Sequence, residues 1–246
     1  MNFRTLRTLF YLGGFLLTST PERAKLRKLA ETDPREAARI SHNRLSKIVN
    51  HIFDISGSSL TVKGLENIPD EPCLYAGNHL SFFDVIVIEK VLPDEKKAGF
   101  IAKDSLKKIP GLSGWMELIR CIFLDRTNAK AGLKSIFLGA DYLKEGSNMF
   151  IFPEGTRGKK GQLGEFKPAS LKMAQKAGVP VVPVAITGTS SILEDNRGLS
   201  IRPSQVTVTF APAINISQLP RLEQKKAVED VRNTIESCIR DAAPQD

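Results

Sequence analysis

Residues 78–84 read Asn-His-Leu-Ser-Phe-Phe-Asp, so that His79 is followed five residues later by Asp84. The apolar run 73–76 before them predicts a short buried strand, and the apolar run 85–88 predicts a helix that Asp84 would cap. A histidine on the turn between strand and helix can fold back onto an aspartate held at the helix start. A carboxylate on one imidazole nitrogen leaves the other nitrogen as a base. The stretch predicts a His–Asp pair at a strand end, although the spacing alone also fits an ordinary capping pair.

Short β-rich runs recur along the chain and alternate with helical patterns. The runs occupy residues 60–62, 73–76, 99–102, 121–124, 149–152, 181–186 and 206–210. Apolar residues at helical spacing are clearest in 133–143 and 222–242. This alternation predicts a mixed α/β domain with a largely buried sheet flanked by helices, and sites in such folds gather at strand ends.

The basic residues of the chain are concentrated near the N-terminus. The 246 residues carry a net charge of +8, and residues 1–53 hold ten Lys and Arg against four acids. A basic end suits either nucleic acid or an anionic lipid surface. Leucine and phenylalanine are interleaved with the arginines of residues 1–20. This favours a lipid surface as the partner, and we expect no nucleic-acid partner.

The N-terminal segment predicts a pair of amphipathic helices. The first lies in residues 1–20, whose longest apolar run, 9–17, would suit a signal peptide but is too short to span a bilayer. No convincing cleavage site follows, so we expect a retained helix in the membrane interface. The second begins at Asp33-Pro34, and packing of both on the main domain is the alternative role. We therefore expect an N-terminal membrane-interface part, 1–55, and an α/β domain, 56–246.

The cysteines and histidines indicate the compartment and the cofactor requirement. Cys73, Cys121 and Cys238 are odd in number and form no Cys-x-x-Cys pair, which predicts reduced thiols in a cytoplasmic protein. The three histidines are far apart and have no cysteine partners, so we expect no metal and no cofactor. With the N-terminal helices, this predicts a peripheral or monotopic protein at the cytoplasmic face of the cell membrane.

Two basic residues come within two positions of the ends of predicted strands. Lys103 comes after the run 99–102, where a cation can meet a substrate anion, although a solvated lysine explains it equally well. Arg126 comes after the run 121–124. Its guanidinium could clamp a phosphate with two hydrogen bonds or pair with Asp125. Both positions are therefore candidates for anion binding.

A third segment after a strand carries a more specific pattern. The run 149–152 leads into residues 153–157, Pro-Glu-Gly-Thr-Arg. Glycine lets the backbone approach a ligand, and a hydroxyl with exposed N–H groups suits phosphate oxygens. A polar hairpin tip does not explain an acid, a hydroxyl and a base packed against a strand end. We therefore assign Glu154, Gly155, Thr156 and Arg157 to substrate binding.

These segments resemble the four sequence blocks of the glycerolipid acyltransferases. His79 and Asp84 resemble the first block, a His, four residues and an Asp. Residues 122–126 resemble the second block, which ends in Arg after an apolar run. Residues 152–157 match the third block in full, and residues 179–185 match the fourth, an apolar segment with prolines. All four occur in the order that the family has.

The resemblance implies an O-acyltransferase with a histidine base. In the family, the histidine takes the proton of an acceptor hydroxyl as that hydroxyl attacks an acyl thioester, and the aspartate orients the histidine. His79 and Asp84 are then catalytic, and the N–H groups of Gly155 and Thr156 are candidate donors to the oxyanion. The implied substrate-binding residues are Lys103, Arg126, Glu154, Gly155, Thr156 and Arg157. Gly158 departs from the pattern, because many members carry Ser there, and this leaves the local phosphate contacts open.

The implied reaction moves a fatty acyl group from acyl-CoA or acyl carrier protein to 1-acylglycerol 3-phosphate, giving phosphatidic acid for phospholipid biosynthesis. Glycerol phosphate or another lysolipid is an alternative acceptor. An acyl thioesterase is a weaker alternative, because water needs no phosphate clamp. A lysophospholipid acceptor would stay in the bilayer, since extracting a chain of about sixteen carbons costs roughly 12 kcal/mol. An enzyme on an anionic membrane surface meets this acceptor directly.

Overall fold

A computed structural model of the protein describes residues 1–124, 129–158 and 162–242. Its strands are β1 Ser59–Lys63, β2 Leu74–Gly77, β3 Ala98–Lys103, β4 Ile122–Leu124, β5 Asn148–Ile151, β6 Val181–Thr187 and β7 Gln205–Phe210. Its α-helices are α1 Phe3–Thr18, α2 Thr20–Thr32, α3 Pro34–Ser56, α4 Phe83–Val91, α5 Leu112–Leu118, α6 Ala129–Lys144, α7 Lys172–Ala177 and α8 Arg221–Ala242.

The seven strands form one sheet in the order β1-β7-β6-β2-β5-β3-β4. Neighbouring strands are parallel except β6 and β7, which are antiparallel. Every residue of the central strands β2 and β5 is buried, as expected for a sheet covered on both faces. The predicted mixed α/β fold with a largely buried sheet is therefore confirmed.

Two apolar cores lie on opposite faces of the sheet. Successive strand residues point to opposite faces, so Tyr75 and Phe150 enter one core while Leu74 and Met149 enter the other. The first core also contains side chains of α1 to α5, and the second contains side chains of α6, α7 and α8. The sheet thus separates the N-terminal helices from the C-terminal helix.

The central strands deliver three loops to one edge of the sheet. β2, β5 and β6 run parallel to one another, so the loops after their carboxyl ends leave at the same edge. Gly77 lies where β2 leaves the sheet, and a Cβ atom there would lie 2.7 Å from Cζ of Phe150. A glycine at this position lets the strand pass over the aromatic ring.

The N-terminal region forms three helices rather than the predicted pair. α1 and α3 correspond to the predicted helices, and α2 is an additional helix between them. Asp33 ends α2 and also begins α3, where its carboxylate accepts a hydrogen bond from the N–H of Glu36 at 3.0 Å. In the described part of the chain, the helices are too short or too polar to cross a bilayer.

Buried ionisable side chains join α3 to α4. Nδ1 of His42 lies 3.0 and 3.1 Å from the two carboxylate oxygens of Glu89, and the hydroxyl of Ser46 donates to the same carboxylate. The ammonium of Lys97 donates to the backbone oxygen of Glu89 and lies 4.0 Å from Oε1 of its carboxylate, and burial lowers the pKa of this lysine. His42, Glu89 and Lys97 are all at least nine-tenths buried. Glu89 is thus the common partner of two buried basic groups.

We expect Glu89→Ala to lower the free energy of unfolding by about 3–5 kcal/mol, because it leaves buried basic groups without their carboxylate. Glu117→Ala is the matched control, since the Arg27–Glu117 pair also joins an N-terminal helix to the main domain at 3.0 Å but has both side chains about half exposed. The control should cost about 0–1 kcal/mol. Urea denaturation measures both values, and similar losses in the two variants would contradict the prediction.

Candidate active site

The predicted histidine and aspartate are in contact just after β2. Nδ1 of His79 lies 2.8 Å from Oδ2 of Asp84. The imidazole is 19% exposed, whereas the carboxylate is fully buried. Because a carboxylate only accepts hydrogen bonds, Nδ1 carries the proton and Nε2 keeps a free lone pair. The partly exposed imidazole is therefore arranged as a base.

Asp84 is held by three further donors besides the imidazole. Its Oδ2 accepts from the N–H groups of Leu80 and Ser81 at 2.6 and 2.8 Å, and its Oδ1 accepts from the hydroxyl of Thr189 at 2.5 Å.

The prediction that Asp84 caps the following helix is wrong. α4 begins at Phe83, whose N–H donates to the hydroxyl of Ser81, so Asp84 lies in the first turn and its carboxylate turns back to the preceding loop.

The segment after β5 fixes the position of His79. The ring of Phe152 stacks on the imidazole with centroids 4.0 Å apart and an angle of 18° between the planes. The N–H of His79 donates to Oε1 of Glu154 at 2.8 Å, and its carbonyl accepts from the N–H of Gly158 at 2.7 Å. The first and third blocks therefore form one hydrogen-bonded unit.

Glu154 is buried inside this unit. One oxygen accepts from His79 N–H and the other from the N–H of Gly164, also at 2.8 Å. Burial raises the pKa of the Glu154 carboxyl, and the two backbone hydrogen bonds oppose this rise. Both oxygens thus bind the protein's own backbone, and the contact of Glu154 with a substrate stays a prediction.

Other residues of this segment lie nearer to solvent. Gly155 has a φ of +70°, and its N–H donates to the carbonyl of Phe152 at 3.0 Å. The predicted oxyanion donor at Gly155 is therefore wrong, because that N–H closes the turn. Thr156 is exposed, and within the described residues its N–H has no hydrogen-bond partner. The side chain of Lys167 passes over Gly155, where it adds a positive charge.

The predicted anion-binding cations are at different positions around the same edge. NH1 of Arg157 donates to Oε1 of Glu194 at 2.9 Å, and its guanidinium carbon lies 4.1 Å from the ring centroid of Phe82. Lys103 is exposed at the carboxyl end of β3, which is the neighbour of β5. Arg126 lies outside the described residues. The edge that carries His79 is thus also the edge that carries Arg157 and Lys103.

Three residues that contact this unit were not predicted from the sequence. The amide of Asn78 exchanges two hydrogen bonds with the backbone of Ile186, at 2.7 and 2.8 Å, and so ties the His79 turn to β6. Thr189 and Glu194 come from the loop after β6. A polar residue two positions after a buried strand was the signal that could have identified Thr189. Glu194 lies seven residues beyond the strand, and its position in the sequence carries no such signal.

The arrangement is suited to taking a proton from a hydroxyl group. An oriented imidazole with a free lone pair lies beside a glycine turn and an arginine, so one bound molecule could present a hydroxyl and an anionic group together. Over the residues whose placement is described, no group of three or more His, Cys, Asp or Glu side chains is arranged to hold a metal ion.

Comparison with known proteins gives a consistent result. Residues 59–187 match the family model described as Acyltransferase. A 1-acyl-sn-glycerol-3-phosphate acyltransferase of Chlamydomonas reinhardtii is 32% identical over 84% of this chain and 62% of its own length. A chloroplastic 1-acyl-sn-glycerol-3-phosphate acyltransferase of Brassica napus is 37% identical over 62% of this chain and 44% of its own length. The chain therefore spans about half the length of these two relatives.

A solved structure extends the likeness over the whole chain. The crystal structure of the 1-acyl-sn-glycerophosphate (LPA) acyltransferase PlsC from Thermotoga maritima superposes with a TM-score of 0.73. The two proteins are 28% identical, and the match covers 99% of this chain and 100% of the other. The N-terminal helices are thus part of the shared fold, together with the sheet.

We expect the unaltered protein to lose stability relative to Glu154→Gln as the pH rises. The quantity compared is the free energy of unfolding of each protein. Because the pKa of Glu154 is raised on folding, the stability it contributes is complete below its ordinary pKa of 4.5 and is lost as the pH rises through the raised value. Urea denaturation between about pH 4.5 and 7.5 measures this shift. The exposed Glu165→Gln is the control, and a difference that is independent of pH would contradict the prediction.

Proposed function

The chain belongs to the Acyltransferase family, and from this premise we propose that it transfers a fatty acyl group from a thioester donor to the free hydroxyl of 1-acylglycerol 3-phosphate. The product is phosphatidic acid. The observation that carries the proposal is the 2.8 Å contact between His79 and Asp84 in a unit that also contains the Glu154–Gly158 turn. The names of the relatives support this acceptor, because they describe enzymes of 1-acylglycerol 3-phosphate.

In the proposed reaction, His79 and Asp84 act as a base and its orienting partner. The acceptor hydroxyl attacks the thioester carbonyl while Nε2 of His79 takes its proton, and Asp84 stabilises the resulting imidazolium. The tetrahedral intermediate then collapses with cleavage of the carbon–sulfur bond, and the imidazolium returns the proton to the leaving thiolate. The N–H of Thr156 is our candidate donor to the oxyanion, since it has no partner within the described residues.

The acceptor phosphate is the proposed ligand of the cations around the site. Arg157 is 40% exposed and Lys103 is exposed at the same edge of the sheet. We propose that these two bind the phosphate, together with Arg126 from the second block. The other proposed substrate-binding residues have smaller roles. Gly155 provides the tight turn, Thr156 offers a hydroxyl, and Glu154 supports the backbone of His79.

The exposed apolar side chains of α1 support the proposal that the protein binds a membrane surface. Thr5 and Thr8 face the protein and are buried, whereas Phe3, Phe10 and Leu17 are between 74 and 80% exposed. The inner side also buries Phe15, so α1 presents large apolar side chains both to the core and to the outside. An outer side of this kind suits the interface of a bilayer. We therefore propose that residues 1–55 hold the acyltransferase domain, 56–246, against anionic lipid, where a lysophospholipid acceptor is found.

The acyl donor and the compartment follow from the same proposal. Acyl-CoA and acyl carrier protein are both anionic, and the basic chain suits either donor.

Cys73 and Cys121 are buried free thiols, and burial raises the pKa of each to about 12. Unpaired cysteines are typical of a reducing compartment, so we propose the cytoplasmic face of the membrane as the location.

We expect His79→Ala to lower the turnover number by about 10² to 10⁴, because general-base catalysis contributes that factor. Asp84→Asn should also lower the turnover number, since an amide can present an N–H to Nδ1 of His79 where the carboxylate presents an acceptor. The assay measures thiol release from acyl-CoA in detergent or liposomes, with and without 1-acylglycerol 3-phosphate, and phosphatidic acid as product. His51→Ala, in α3 and in contact with the ring of Tyr11, is the matched control and should keep its activity.

The same assay separates the alternatives. Release that requires the acceptor and yields phosphatidic acid supports the transferase. Release without any acceptor indicates a thioesterase. Release with glycerol 3-phosphate or another lysolipid, but not with 1-acylglycerol 3-phosphate, identifies a different acceptor, and acyl carrier protein is the donor to test if acyl-CoA is inert.

We expect Phe3→Ser combined with Phe10→Ser to weaken binding to liposomes roughly 10- to 100-fold, because each buried aromatic side chain contributes about 1.5–3 kcal/mol and insertion here is partial. Co-sedimentation with vesicles that contain anionic lipid measures the partition coefficient. The control is Leu133→Ser with Phe137→Ser, two side chains that are 48 and 43% exposed on α6. Equal effects of the two double substitutions would contradict a role specific to α1.

A further inference from the structure

We infer that Glu194 is a positioning residue, which orients Arg157 toward the acceptor and joins that arginine to the His79–Asp84 pair. The inference rests on the proposed function, because it assigns Arg157 to the acceptor phosphate. Glu194 lies outside residues 59–187, which match the family model, and outside all four sequence blocks.

The carboxylate of Glu194 binds donors from two separate loops. Its Oε2 accepts from the hydroxyl of Ser81 at 2.5 Å. Its Oε1 accepts from the N–H of Phe82 and from NH1 of Arg157, both at 2.9 Å. The Glu194 side chain is only 19% exposed. Three converging donors and this degree of burial distinguish the contact from a solvated surface ion pair such as Arg27–Glu117, in which both side chains are about half exposed.

One side of this contact reaches the catalytic pair through Ser81. The N–H of Ser81 donates to Oδ2 of Asp84, the same oxygen that contacts Nδ1 of His79. The Ser81 hydroxyl also accepts the N–H of Phe83 at the start of α4. Glu194 therefore holds the loop that orients the Asp84 carboxylate.

The other side of the contact determines the direction of Arg157. One of the five guanidinium N–H donors binds Glu194, and the guanidinium plane is further restrained by the ring of Phe82, 4.1 Å away. Within the described part of the chain the remaining donors have no hydrogen-bond partner, and the side chain is 40% exposed. An arginine that is already oriented loses less conformational freedom when it binds a phosphate, so the acceptor binds more tightly.

The loop that carries Glu194 is itself anchored. Ile192 and Thr189 are fully buried, and the hydroxyl of Thr189 donates to Asp84. Asp195, next to Glu194, accepts from the hydroxyls of Ser190 and Ser191, and among the described residues its carboxylate binds only this loop. This neighbour offers a matched control, because its carboxylate is on the same loop and does not contact the site.

The experiment compares Glu194→Ala, Glu194→Gln and the control Asp195→Ala in the acyl-transfer assay. We expect Glu194→Ala to raise the KM for the acceptor about tenfold, with the KM for the acyl donor changed less than about twofold. Gln can still offer an oxygen to Phe82 and Arg157 and an N–H to Ser81, so the acceptor KM of Glu194→Gln should rise less than about threefold. Asp195→Ala should match the unaltered protein.

A double substitution tests whether Glu194 acts through Arg157. If it does, adding Glu194→Ala to Arg157→Ala changes the acceptor KM by less than about twofold, because the arginine to be oriented is gone. If the two substitutions instead raise the acceptor KM independently, so that their separate factors multiply in the double variant, the inference is overturned. A loss in kcat and melting temperature with an unchanged acceptor KM would also overturn it, and so would a loss in Glu194→Gln as large as that in Glu194→Ala.

A binding measurement keeps this test independent of turnover. The Kd of 1-acylglycerol 3-phosphate is measured by titration in detergent for His79→Ala and for His79→Ala combined with Glu194→Ala. We expect about tenfold weaker binding in the second protein. Equal Kd values would overturn the inference even if the unaltered protein is an active transferase. Absence of transfer by the unaltered protein, with the difference in Kd intact, would instead count against the proposed reaction alone.

Discussion

The buried carboxylate of Asp84 is the constraint on which the site depends. A carboxylate that is fully buried must have its oxygens satisfied by donors, and here an imidazole, two backbone N–H groups and a hydroxyl fill this need. Those donors come from the turn after β2 and from the loop after β6. Burying one charge therefore determines the position of the imidazole and the path of two loops.

The parallel centre of the sheet brings these loops together. β2 lies between β5 and β6, so the turn that carries His79 has a loop from a parallel strand on each side. Glu154 holds the backbone of His79 from the β5 side, and Asn78 is bonded to β6 on the other side. The imidazole is thus supported through its backbone, its ring face and its Nδ1 atom.

The strands and the His–Asp pair could be predicted because their signals are local. A buried strand needs a run of apolar residues, and all seven runs became strands. Hydrogen-bond partners were less predictable, as the cap assigned to Asp84 and the oxyanion role assigned to the Gly155 N–H illustrate. Both residues use their polar groups within a turn whose geometry depends on neighbouring loops. Glu194 is more distant still, because only the folded sheet brings it to Ser81.

If α1 lies in a membrane interface as proposed, its attachment to the rest of the protein sets the height of the imidazole above that membrane. NH1 of Arg4 donates to the carbonyls of Ile55 and Ser56, and the amide of Asn2 donates to the carbonyl of Ile201, so polar contacts lock α1 to the end of α3 and to the strand-connecting loop before β7. α3 is in turn joined to α4, the helix that carries Asp84. Under the proposed membrane binding, these attachments would keep the imidazole at a constant height above the lipid surface, and an acceptor would have to bring its hydroxyl group to that height.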